Sequence, residues 1–309
     1  MQERQKTLIV IAGPTAIGKT ALAIEIAQHY QTEIISADSR QFFKEMSIGT
    51  AKPHPIELAA AKHHFIGSHS IHDEINVGNF EKEALEKINE LFKTHDVLVM
   101  VGGSGLYINA VLYGFDEIPK ADEKLREKLN QKLKTEGIIS LQNQLEILDP
   151  TYYQEVDIHN PQRVIRALEV CIATGKPFSS FRKTTLKNRP FNSILIGLDM
   201  EREKLYDRIN QRVDLMMQQG LLDEVKSLEK YQHLNALKTV GYSEIFNYLN
   251  GEWTLEQAID KIKQNTRNFA KRQLTWFRKN KDIIWLNPTD PTVLQKIATQ
   301  LHELSQKRS

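Results

Sequence analysis

Eight residues near the start of the chain, Gly13-Pro14-Thr15-Ala16-Ile17-Gly18-Lys19-Thr20, fit the pattern G-x-x-x-x-G-K-[ST]. They stand between an apolar, β-branched run, Thr7 to Ala12, and a stretch of helical period, ALAIEIAQHY. Phosphate binding requires that placement. The N–H groups of such a loop and of the helix start cradle phosphate oxygens, Lys19 adds a point charge, and the Thr20 hydroxyl can ligate Mg²⁺. The motif announces phosphates and leaves the reaction open.

Two further loops follow strand-like runs. EIISAD ends at Asp38 and leads into Ser39-Arg40-Gln41; a carboxylate there can be a metal ligand, a general base or the N-cap of a helix. DVLVMV ends at Val101 and runs into GGSGLY, residues 102–107, where Ser104 offers a hydroxyl and the glycines offer backbone N–H groups or simply a tight turn. His63, His64, His69 and His72 lie close in sequence, but without the one-face spacing of a helical metal site and with Gly67-Ser68 between them. They are read as no metal site. Gln162-Arg163-Val164-Ile165-Arg166 opens a predicted helix with its arginines three apart and so on one face. TRNFAKRQLTWFRKNK, Thr266 to Lys281, has six basic residues and no acid. On a helix its Phe269, Gln273, Trp276 and Phe277 share one side, which predicts core aromatics with a basic rim where phosphates could pass. Cys171, the single cysteine, is read as a buried small apolar residue.

The elements that must position these groups alternate strand and helix, which predicts an α/β fold: a P-loop NTPase-like parallel sheet flanked by helices. All three loops then sit at carboxyl ends of strands, where such sheets bind ligands. From about Pro119 the pattern turns to charged amphipathic helices, and strand character returns with SILIGLDM near Ser193. A smaller all-helical insertion domain is therefore placed at 118–194, inside a core domain of 1–117 and 195–309. One long helix is expected from Arg202 to Tyr231, another from Leu255 to Lys279, and a last strand in DIIWLNP.

The chain has 309 residues, with 41 Lys+Arg against 39 Asp+Glu, a net +2 that by itself argues against a nucleic-acid partner. The charge is uneven, however. Residues 161–191 carry 7 basic and 1 acidic groups and 267–309 carry 9 and 3, inside an otherwise acidic chain. Two such segments suit an anion-binding surface. No apolar run approaches the roughly 20 residues of a membrane span. The polar start has no secretory leader pattern, so a cytoplasmic location is expected.

With these residues in hand, the sequence resembles the tRNA dimethylallyltransferase (tRNA isopentenyltransferase) family over nearly its whole length. The resemblance rests on GPTAIGKT, DSRQFF, IGTAKP, HHFI, GGSGLY, QRVIRALEV, GKPFS, RINQRVDLMMQQGLLDEV, KTVGYSEI and TRNFAKRQLTWFR. The chain departs from the family pattern at Ser104, where the family has Thr, and at Phe43, where it has Tyr. The zinc-finger extension of eukaryotic members is missing, which implies the bacterial type.

The resemblance implies transfer of a dimethylallyl group from dimethylallyl diphosphate to the exocyclic amine of the adenine 3′-adjacent to the tRNA anticodon. It implies Asp38 as general base, with Thr20 and Ser104 in the catalytic set and Mg²⁺ at Thr20. The diphosphate would be held by Gly13, Pro14, Thr15, Ala16, Ile17, Gly18, Lys19, Thr20 and Arg212. Contacts to the tRNA anticodon loop would come from Asp38, Ser39, Arg40, Gln41, Ser104, Arg126, Gln162, Arg163, Val164, Ile165 and Arg166. The target base must leave its stack, so a channel between the two lobes is expected, in a monomer that touches no membrane.

The strongest rival is a P-loop kinase that moves phosphate from ATP to a small metabolite or nucleotide. It accounts for GPTAIGKT and a base at Asp38. It leaves unexplained the two basic segments, the long helical second half, and the lack of a second Walker-type aspartate after Val101. A GTPase switch is weaker: Asn280-Lys281-Asp282 does not complete N-K-x-D, and no Asp-x-x-Gly occurs.

Overall fold

The computed structural model describes residues 6–116, 118, 119, 122–182 and 187–306. The first strand, β1 (Thr7–Ala12), is buried at all six positions, as its unbroken apolar run requires of a strand covered on both faces. A loop leads to α1 (Lys19–His29), then β2 (Ile34–Ser36), α2 (Pro55–Ala60), β3 (His63–His64), α3 (Val77–Leu91), β4 (Val97–Gly102) and α4 (Gly105–Tyr113). Four helices follow, α5 (Glu123–Glu136), α6 (Ile138–Leu148), α7 (Pro150–Glu155) and α8 (Pro161–Thr174). The chain returns through β5 (Asn192–Leu198), α9 (Arg202–Gln218), α10 (Leu221–Ser227), α11 (Tyr242–Leu249), α12 (Leu255–Phe277), β6 (Ile284–Leu286) and α13 (Val293–Gln306).

The six strands form one parallel sheet in the order β3-β2-β4-β1-β5-β6. Apolar clusters cover its two faces. The predicted parallel α/β architecture is what the chain adopts; the two-residue strand β3, built from histidines, was not foreseen because its polar residues carry no strand pattern.

Two compact units emerge, Met1–Tyr113 with Asn188–Ser309, and Gly114–Lys187. The expected insertion boundary at 194 runs too far. Asn192 and Ser193 pair in register with Thr7 and Leu8, so these polar residues are the entry to β5 and belong to the sheet. In the Gly114–Lys187 unit the described regular elements are all helical, and its own core gathers Leu129, Leu141, Leu145, Leu168 and Cys171. Cys171 is buried.

The helix expected from Arg202 to Tyr231 is broken. Gly220 adopts a left-handed conformation (φ 98°) that ends α9 and restarts the chain as α10. Among the described residues no helix is long and apolar enough to cross a membrane.

Candidate active site

Strands β2, β4 and β1 are immediate neighbours, so the three loops at their carboxyl ends lie side by side. They open onto a cavity of about 1110 Å³ formed within the sheet-bearing unit. Thr15, Ala16, Gly18, Lys19, Thr20, Asp38, Ser39, Arg40, Gln41, Ser104 and Arg212 all line it. Gly13, Pro14 and Ile17 are buried and do not line the cavity; Ile17 packs into the core beneath the sheet.

The glycine loop is shaped for an anion. Gly13 and Gly18 take φ of 152° and 107°, and Ala16, a residue with a Cβ, is held at φ 64°. Such a left-handed turn concentrates backbone N–H groups toward one side and stores strain that a bound anion can justify. Lys19 Nζ donates to Pro14 O at 2.7 Å. Burial of its ammonium brings its pKa down to about 8, with the Arg212 cation pushing the same way and the Asp38 carboxylate resisting. Arg212 is likewise pulled below its ordinary value, first by burial and then by Arg208. Among the described residues neither Arg208, Arg212 nor Lys19 has a carboxylate ion pair within 4 Å, although Asp38 and Glu57 act on Arg212 at longer range.

Asp38 is half-buried, and its Oδ1 accepts the Arg40 N–H at 3.0 Å. The residues after it form turns, so the carboxylate caps a turn and the helix-capping alternative is set aside. Ser104 Oγ accepts the Ser39 N–H and donates to Ser39 Oγ, both at 3.1 Å, tying the second and third loops together. Arg40 is fixed by carbonyls of Asn235 and Ala236 at 3.2 and 3.0 Å, and Gln41 donates to those of Thr50 and Ala51 at 3.2 and 3.0 Å.

Two anchors escaped the sequence. Gln273, buried on α12, accepts the Thr15 N–H at 2.9 Å and donates to Gly103 O at 2.9 Å, bridging the phosphate-type loop to the GGSG loop. A Cβ on Gly103 would fall 2.3 Å from Gln273 Nε2, so only glycine admits that approach. Glu224, at the start of α10, accepts the N–H groups of Ser47, Ile48 and Gly49 at 3.0, 2.8 and 3.0 Å, and the Tyr242 hydroxyl at 2.6 Å. That clamp fixes the IGTAKP loop as a cavity wall, and a Cβ on Gly49 would meet the buried Tyr242 ring at 2.5 Å. The only available signal for either anchor was weak: a polar residue on the apolar side of a helix for Gln273, and a glycine ahead of a short helix for Glu224.

The aromatic prediction divides. Gln273 and Phe277 are buried as expected, whereas Phe269 and Trp276 are 39% and 38% exposed and line the cavity, because that side of α12 spans both core and cleft. Leu215 and Met216 add apolar lining. Phe43 is buried in a separate cluster with Met46, Ile71 and Tyr242, away from the cavity lining.

The remaining predicted residues belong to the helical unit. Asn160 caps α8, its side chain accepting the Arg163 N–H at 3.3 Å, and leaves Gln162 and Arg163 exposed on the first turn. Val164 and Ile165 correct the expectation: both are buried against that unit's core, so their side chains cannot be the RNA contacts expected of them. Arg126 grips Glu169 through Nε and through Nη2, the latter at 2.8 Å, and Arg166 lies 3.6 Å from the same carboxylate.

The four histidines do not converge. His63 donates to Ala61 O, His64 meets Glu33 at 2.5 Å, His69 faces Glu83 at 3.4 Å, and His72 packs edge-on to Tyr231. Among the described residues no group of three His, Cys, Asp or Glu could hold a metal ion. A magnesium site of the substrate-assisted kind needs less. The Thr20 hydroxyl, with Asp38 lining the same cavity, fits an ion that takes most of its ligands from phosphates and water.

A family model described as IPP transferase matches residues 41–280. The tRNA dimethylallyltransferase of Christiangramia forsetii is 59% identical over 278 residues, covering 90% of this chain and 92% of that one. The fold is similar to a crystal structure of the tRNA isopentenylpyrophosphate transferase of Bacillus halodurans, with TM-score 0.71, 38% identity, and coverage of 98% and 97%. It is also similar to a eukaryotic dimethylallyltransferase described as acting on tRNA, with TM-score 0.73, 29% identity, and coverage of 96% and 77%.

Proposed function

The chain belongs to the tRNA dimethylallyltransferase (IPP transferase) family, and from that premise we propose how its cavity works. The donor is dimethylallyl diphosphate and the acceptor is the exocyclic amine of the adenine 3′-adjacent to the anticodon. The observation that carries this reading is that Asp38, Lys19, Arg212 and a strained loop line one and the same cavity, together with apolar and aromatic side chains.

The loop amides, Lys19 and Arg212 receive the diphosphate, and Leu215, Met216 and Phe269 offer apolar surface to the prenyl chain. Mg²⁺, held at Thr20, would neutralise charge building on the departing diphosphate. The adenine nitrogen attacks the donor's C1, the C1–O bond to diphosphate breaks, and the amine proton passes to Asp38. A base is needed because adenine's amine lone pair is delocalised into the ring. The Arg40 N–H fixes the carboxylate's orientation before substrate arrives. Because the attack is on carbon, the site needs cations for a leaving group and no apparatus for a phosphoryl transition state. Family membership sets the kinase alternative aside.

Asp38→Ala separates chemistry from binding. Turnover is expected to fall by about 10²-fold or more, the scale of general-base catalysis, while tRNA affinity in a filter-binding assay changes only modestly. Loss of affinity in proportion to activity would make Asp38 a structural residue and refute its role as base.

A further inference from the structure

We propose that Glu169, a carboxylate buried in the helical unit, is a positioning residue for RNA binding, setting two arginines in the orientation that grips the anticodon loop. The inference rests on the functional reading above and deepens it.

Glu169 sits on α8, its side chain only 2% exposed. A buried carboxylate is costly unless its oxygens are satisfied. Arg126, from α5, satisfies both at once, Nε on one oxygen and Nη2 on the other, the side-on fork that suits guanidinium. Arg166, one turn earlier on α8, approaches the same carboxylate at 3.6 Å and donates to Pro119 O at 3.3 Å. Both arginines nevertheless keep open faces, with side chains 53% and 34% exposed. Residues 161–191 hold 7 basic groups, and Glu169 is the sole acid among them.

An acid placed in the middle of a basic surface opposes polyanion binding by simple electrostatics. Its burial beneath two half-exposed arginines makes sense if orientation matters more than total charge. Long arginine side chains lose rotamer freedom when they bind, and holding them beforehand removes that cost. The pair then meets phosphate or base edges in a fixed geometry, which favours one folded loop over RNA at large.

The two explanations predict opposite signs. Glu169→Gln deletes a negative charge while nearly conserving shape. If the arginines act as loose point charges, affinity for an unmodified anticodon stem-loop rises and its salt dependence steepens. If Glu169 positions them, affinity falls by about tenfold, the size of one charge-assisted hydrogen bond, and the loss appears in KM for RNA more than in kcat.

Arg126→Lys keeps the charge but cannot form the fork, and is expected to lose a similar factor. The double variant should be no worse than either single one, because the two residues act as a unit. Thermal melting of each variant accompanies the titration, and Arg126→Lys alone carries the test if Glu169→Gln does not fold. Undiminished or tighter binding by Glu169→Gln, wild-type affinity in Arg126→Lys, or losses that multiply in the double variant would overturn the proposal. Failure of the wild-type chain to bind the stem-loop would overturn the functional reading together with it.

Discussion

In the reaction proposed above the two units meet the same problem, an anionic ligand, with opposite arrangements of charge. In the sheet unit Lys19, Arg208 and Arg212 face the cavity with no carboxylate ion pair within 4 Å among the described residues, and burial, against the pull of Asp38 and with the push of Arg212, already weakens Lys19's hold on its proton. In the helical unit Arg126 and Arg166 are held against buried Glu169. Unneutralised cations suit a small, highly charged group that enters the cavity and supplies the missing anion itself. Pre-paired arginines suit a large polyanion, where unspecific attraction is easy and orientation is scarce. The net +2 of the whole chain hides both arrangements.

The largest effect expected from breaking this contrast is at the unneutralised cations. Lys19→Ala or Arg212→Ala should weaken inorganic diphosphate binding by about 10²-fold, the scale of losing a charged partner in a desolvated site, and leave stem-loop affinity nearly unchanged. Equal losses for both ligands, measured by calorimetric titration, would erase the distinction between the units.

The next effect is at the bridge. Gln273→Leu strands the Thr15 N–H and Gly103 C=O, and should cost about 2 kcal/mol of stability in a denaturant titration. Diphosphate affinity should fall with it, because the anion loop loses its tie to the neighbouring loop. Retained diphosphate affinity would show that the loop holds its shape unaided.

A pH titration sharpens the same side. Anion binding favours protonated Lys19, whose pKa stands at about 8. Raising the pH through 8 removes that proton, so diphosphate affinity should decline above pH 8 by up to about tenfold per unit, with proton uptake on binding. A ratio of wild-type to Lys19→Ala affinity that stays flat from about pH 7 to 9.5, with the ionisation of diphosphate itself cancelled, would contradict the lowered pKa of that ammonium. The smallest effect belongs to Arg163, exposed on α8: Arg163→Ala should lower the slope of log affinity against log salt by about one unit. An unchanged slope would remove this turn of α8 from the RNA surface.

What was legible in the residues follows the same divide between local and distant. The phosphate-type loop, Asp38 and the GGSG loop were readable because each is a short motif at the end of an apolar strand, and parallel strand order brings such ends together. Gln273 and Glu224 were not, since the loop N–H groups they accept lie 258 and about 175 residues away and only a weak local signal marks either residue. Phe269 and Trp276 were assigned to the core because helical period groups residues by side without saying where core ends and cleft begins. Val164 and Ile165 came with the motif that resembles the family, whereas the helix's own apolar spacing already turned them inward. The break at Gly220 was missed because a left-handed glycine inside a helical pattern looks like a tolerated residue.

In the proposed reaction an anion site and a carboxylate base cooperate to move a prenyl group to RNA. Its most direct test is incubation of the purified chain with unmodified tRNA and Mg²⁺, with labelled dimethylallyl diphosphate in one mixture and γ-labelled ATP in another. Prenylated adenosine next to the anticodon in the first mixture, and no label on RNA or nucleotide acceptors in the second, is the expected result. Label transferred only from ATP would contradict it.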